Sequence, residues 1–148
     1  MGSARDWMMA AGVLSVIASL LHLGCIVGGP DWYRALGAGE RMARMAALGR
    51  PGPAIITALI AGVIAVWAVY AFAAAGLIRQ LPLMRLALVL ISAVLLVRGL
   101  AGPLMQRWRP DLSTGFIYGS SAIVLAYGLT FAIGTWLVWP TLSMKDEF

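Results

Sequence analysis

The sequence predicts an all-α fold, an integral membrane four-helix bundle with a short interfacial helix in its first connection. Three observations predict it. Hydrophobic residues make up 61% of the chain and charged residues only 11%, whereas soluble domains carry about a quarter charged residues. Four apolar runs, at 8–28, 54–78, 83–105 and 115–139, each meet the roughly 20 residues needed to cross the hydrocarbon of a bilayer. Trp7, Trp136 and Trp139 fall at one end of those runs and Trp32 and Trp108 at the other, as headgroup-level aromatics do. Residues 1–148 therefore form one transmembrane domain, with little chain left for a soluble one.

Span one carries Gly12, Ser15, Ser19 and His22 on one helical face. Small and hydroxyl residues let membrane helices approach, so this face should look into the bundle and Val13, Leu14, Ile17, Leu20 and Leu21 into lipid. The start of the chain lacks the positive charge and short core of a cleaved secretory signal, so the run reads as a span. The first connection opens on Gly28-Gly29-Pro30 and closes on Pro51-Gly52-Pro53. Residues 39–48 between them suit a short helix lying on the membrane, with Glu40 and Arg44 spaced to pair and Trp32 and Tyr33 as headgroup anchors. A lid over the bundle, contributing Glu40 or Arg41, is the alternative. Span two is charge-free and alanine-rich, a packing element holding Trp67 and Tyr70. The tight turn Arg79–Arg85 makes spans two and three antiparallel neighbours. In span four, Ser120, Tyr127 and Gly134 recur every seven residues, as do Ser121, Gly128 and Thr135, making a small, polar seam toward the bundle. A short polar tail follows.

The net charge of +5 is spread as arginines flanking apolar runs, so it faces lipid phosphates and nucleic acid is excluded as a partner. Cys25 is the sole cysteine and His22 the sole histidine, which leaves no intrachain disulfide, thiolate cluster or bis-histidine haem. No metal or cofactor is expected, and no nucleophile motif occurs.

Arg98 is the residue around which function should lie. A guanidinium within a membrane helix costs roughly 2.5–3.5 kcal/mol on insertion scales and is kept where it finds a partner or a wet cavity. Counting back along each span at about 1.5 Å per residue puts His22 and Arg98 roughly 9–11 Å below one membrane face. Thr57, Tyr118 and Ser121 reach the same layer, with Asp31 and Glu40 just above. Of six acids, Asp31, Glu40 and Asp111 lie on that side. Either one of them bridges Arg98 and pins the first connection, or Arg98 meets a ligand. His22 is either an interhelical hydrogen-bond partner or a proton carrier.

From GGPDWYRALGAGERMARMAALG onward, the chain resembles small four-span inner-membrane proteins of bacteria, loosely DoxX-like. The resemblance is one of architecture and implies no site residue. Small multidrug exporters are similar in size, but they carry a glutamate in the first span where this chain has His22. The leading expectation is a non-enzymatic membrane protein that binds a lipid-like or anionic amphipathic ligand, or supports another membrane protein or a second copy of itself. A small transporter would need a polar path to both faces. A membrane enzyme acting on a lipid, sterol or quinone would need Asp31 or Glu40 beside His22. Arginine counts favour the His22 side as cytoplasmic, while the acid-free Arg79–Arg85 turn favours the other; the reading adopted places both termini in the cytoplasm. The arginine-over-lysine bias suggests a bacterial inner membrane.

Overall fold

The computed structural model describes residues 3–143, so the residues 144–148 of the polar tail lie outside the described part. All regular structure among the described residues is helical: α1 (Ala4–Gly28), α2 (Pro30–Ala35), α3 (Glu40–Ala47), α4 (Gly52–Ala74), α5 (Met84–Leu100), α6 (Gly102–Trp108) and α7 (Thr114–Ser143). The helices α1, α4 and α7 are long and apolar enough to cross a membrane, and α5 with α6 makes a fourth if the bent pair counts as one span. This is an integral membrane protein by every helix that could carry it there.

Each boundary has a local cause. Ser3 caps α1 through its hydroxyl, and the Asp6 carboxylate returns a bond to the Ser3 backbone, satisfying amides that a helix start leaves orphaned. Gly29 ends α1 at φ +70°, a conformation that costs glycine nothing, and Pro30 opens α2 at a position where its missing N–H is not needed. At the start of α7 the Ser113 hydroxyl accepts the Phe116 amide at 3.2 Å.

Two expectations need correction here. The run 83–105 is not one straight span: α5 ends at Leu100 and α6 departs at 61°. Pro103 has no N–H to offer the Gly99 carbonyl one turn back, and its ring crowds that carbonyl, so the ladder breaks. The first connection holds two helices: the short helix expected at 39–48 is α3, and α2, which was not expected, precedes it. Trp32 of α2 lies so close over Gly24 and Gly28 that neither could carry a side chain, which folds α2 back onto the end of α1.

The long helices pack chiefly as two pairs, α1 with α4 and α5 with α7, joined through α1 and α7. Although α4 and α5 are consecutive, they touch only lightly. The seam expected on α7 faces inward: Ser121, Tyr127 and Thr135 are buried, and a methyl at Gly128 would press on Leu95 and Leu96 at 3.0 Å. One half of the molecule is solid, filled by Met8, Ala71, Leu88, Phe131, Val138 and Leu142. The other half, toward α2, α3 and α6, contains space.

Close α5–α7 approach makes Gly99 a point of failure, because a Cβ there would sit 2.8 Å from the Leu125 backbone. Gly99→Val is expected to destabilise the protein by about 1–3 kcal/mol, the usual cost of overpacking, whereas Gly62→Ala, where a Cβ meets nothing within 4 Å, leaves it unharmed. Thermal unfolding in mild detergent, read on both variants, checks the contrast.

Candidate functional site

Space between the two helix pairs forms a first chamber of about 620 Å³. Its polar lining includes His22 of α1, Arg98 of α5 and Ser120 of α7. A second chamber of about 760 Å³ continues from it under α2 and α3, with Tyr33, Thr57 and Cys25 on its walls. His22, Gly37, Phe116 and Ser120 border both. Each volume is in the range of small-molecule sites, roughly 300–1,000 Å³. Ile17 and Ile123 line the first chamber and are also exposed on the outside, so it opens sideways, toward the acyl chains of a surrounding bilayer. Leu14, Ile17 and Leu21, expected on a lipid face, are thus its outer wall. At the other end the solid core closes it.

Arg98 stands in the last turn of α5, where the carbonyl end of the helix favours a cation. Its Nη1 donates to the Ser121 hydroxyl at a long 3.5 Å. Among the described residues no carboxylate reaches it. The counter-ions expected from the sequence are engaged elsewhere: Arg34 holds Asp31 at 3.0 Å and Glu40 at 2.9 Å, and Arg109 holds Asp111 at 3.0 Å. The expected Glu40–Arg44 pair is likewise replaced by Glu40–Arg34. A helix terminus is worth about 0.3–2 kcal/mol; a guanidinium costs roughly 2.5–3.5 kcal/mol at the centre of a membrane helix and less toward its end. The expected Arg98 bridge to an acid is absent, and the charge faces the chamber largely uncompensated.

The work assigned to that bridge is done by Arg109. Its guanidinium reaches from the α6–α7 turn to the Gly37 carbonyl at 3.5 Å while gripping Asp111, and Gly39, at φ +92°, leaves room for it. Phe116 packs against Gly37 in the same turn. The α2–α3 segment is therefore a roof fastened over the second chamber. Glu40 and Arg41 do not enter the chambers; they line a shallow outer depression over α3.

The sequence-derived layer is partly assembled. His22, Arg98 and Thr57 line the chambers, and Ser121 supports Arg98 from a buried position. Asp31 is excluded, its side chain 93% exposed, and so is Glu40, for the reason above. Tyr118 is 50% exposed on the outer surface of α7, on the flank of the helix beside the inward line of Ile117 and Ser121. His22 Nδ1 donates to the Ala18 carbonyl at 2.7 Å, so in a neutral ring Nε2 is the acceptor, and the residue lines both chambers. Two further residues were not singled out as site residues by sequence. Tyr127 is tied to the Ser15 hydroxyl across α1 and α7. Tyr33 is 2% exposed, yet its hydroxyl has no hydrogen-bond partner among the described residues, a condition that costs about 1–3 kcal/mol. It had read as a headgroup anchor because it follows Trp32, and only the fold of α2 onto α1 turns it inward.

No known family, curated protein or solved structure matches this chain in the comparisons made with each. The reading of the site rests on its own geometry. Among the described residues there is no cluster of ligands suited to a metal ion.

The roof has a pH limit. Hydrogen bonds from Arg34 hold Glu40 below the ordinary carboxylate range, and those from Arg109 do the same for Asp111. Depressed carboxylates stabilise the folded roof above their unfolded values, about 4, and that stabilisation is lost as pH falls through the folded values. Amide exchange across residues 30–50 is expected to accelerate below about pH 4 while the solid half of the bundle stays protected. Uniform exchange in both regions would contradict it.

Proposed function

We propose that this chain is a four-span helical bundle of the bacterial inner membrane, with both termini cytoplasmic, that binds an anionic amphipathic ligand entering from the lipid. The acidic group of the ligand pairs with Arg98, and its apolar part lies in the first chamber against Leu14, Ile17 and Val94. The single observation carrying this reading is that Arg98 lines an apolar, laterally open chamber with no carboxylate beside it. An anion supplied from outside meets the cost that the protein leaves unmet. The acid-free Arg79–Arg85 turn supports the orientation.

Binding without turnover is the economical form of this activity. The carboxylates that an acid–base mechanism would require beside His22 are held by Arg34 on the outer side of the roof. The packed core beyond the first chamber argues against a polar path through the molecule.

Native mass spectrometry of the protein released from mild detergent tests the reading. Wild type is expected to retain an anionic amphipath, and Arg98→Gln to lose at least about tenfold in occupancy. That loss corresponds to the roughly 1.5–3 kcal/mol of a hydrogen bond to a charged group. Because Arg98 anchors no ion pair, the variant should melt no lower than wild type. Equal retention by both proteins, or none by either, would refute ligand recognition; collapse of the variant would make Arg98 structural.

A further inference from the structure

The second chamber gives the ligand a more definite chemistry, resting on the Arg98 reading above. We propose that it is a polyol subsite, and that the ligand is a membrane phosphodiester whose headgroup carries free hydroxyls, as in phosphatidylglycerol. Three features point there together. Tyr33 lines the chamber, and its buried hydroxyl has no partner among the described residues, so it has one donor and spare acceptor capacity unused. His22, whose Nδ1 is committed to Ala18, presents an acceptor where the two chambers meet. None of the residues lining either chamber is acidic, so neither chamber offers a carboxylate to pair with an ammonium.

An anion at Arg98 with hydroxyls extending under the roof satisfies all three. The phosphate takes the guanidinium, one hydroxyl donates to His22 Nε2, and another exchanges a hydrogen bond with Tyr33. A zwitterionic headgroup would bring in a cation that no carboxylate of either chamber lining pairs with. Phosphatidic acid has the charge but no hydroxyl to reach Tyr33. The apolar lining of both chambers, open to the outside at Ile17 and Ile123, suits a ligand that brings acyl chains.

Binding of phosphatidylglycerol, phosphatidic acid and phosphatidylethanolamine with identical acyl chains, titrated onto the delipidated full-length protein by native mass spectrometry, tests this. Phosphatidylglycerol is expected to bind wild type at least about threefold more tightly than phosphatidic acid. Charge alone predicts the opposite order, since phosphatidic acid carries more of it. Phosphatidylethanolamine should bind at least about tenfold more weakly than phosphatidylglycerol. Tyr33→Phe should bring the first two lipids to parity, leave phosphatidic acid unchanged, and melt no lower than wild type when lipid-free, because the hydroxyl has no partner to lose. Soluble glycerol phosphate should bind at least about tenfold more weakly than the chained lipid; equal binding would make the source aqueous and overturn the lipid assignment. If the anionic lipids bind through Arg98 but Tyr33→Phe leaves their ratio unmoved, the polyol subsite is wrong and the Arg98 reading stands. If neither binds, or Arg98→Gln binds both as wild type does, both readings fall.

Discussion

The structure turns on one cation, Arg98, that no carboxylate among the described residues reaches. Arg98 occupies the end of a helix, where backbone carbonyls offer partial compensation, and the neighbouring hydroxyl of Ser121 adds a long hydrogen bond. Placing it there depends on Pro103, because the break in the ladder makes Leu100 the end of α5 rather than the middle of a span. A straight helix would have put the same guanidinium against a continuous apolar wall with no helix terminus nearby. The bend and the charge belong to one arrangement.

Around that arrangement the molecule divides into a packed half and an open half. Toward the Arg79–Arg85 turn, alanines and interlocking large side chains fill the interior, with a groove of about 230 Å³ left between α4 and α5, and Arg85 lies 5.0 Å from the ring centre of Trp139. Toward the first connection the helix pairs separate. Gly99 and Gly128 bring α5 within backbone contact of α7, while α4 stays with α1. The gap between pairs is a consequence of where the small residues lie: they draw helices together within each pair and do not draw α4 onto α5.

The roof is held by ion pairs of a different kind from the one expected. Asp31, Glu40 and Asp111 each meet an arginine close in sequence or across a short turn, at positions exposed to water, where such pairs form without the desolvation penalty of the interior. An acid brought down to Arg98 would have had to surrender that hydration. Local partners outcompete the distant one, and the cation in the chamber is left available.

Sequence alone determined that this chain is helical and built for lipid, because twenty-residue apolar runs admit few other solutions. It determined the inward faces of α1 and α7, since small and hydroxyl residues at helical spacing leave Ser15, Ser19, Ser121 and Thr135 buried. It also marked His22, Arg98 and Thr57 by the cost of a polar group in an apolar run. Tertiary structure decided the rest. Which arginine takes which acid depends on the fold of the first connection, and periodicity says nothing about a segment of two short helices. Tyr118 and Tyr33 exchanged their expected places for the same reason: depth along a span can be counted from the sequence, but the direction a side chain faces is set by which helices it packs between.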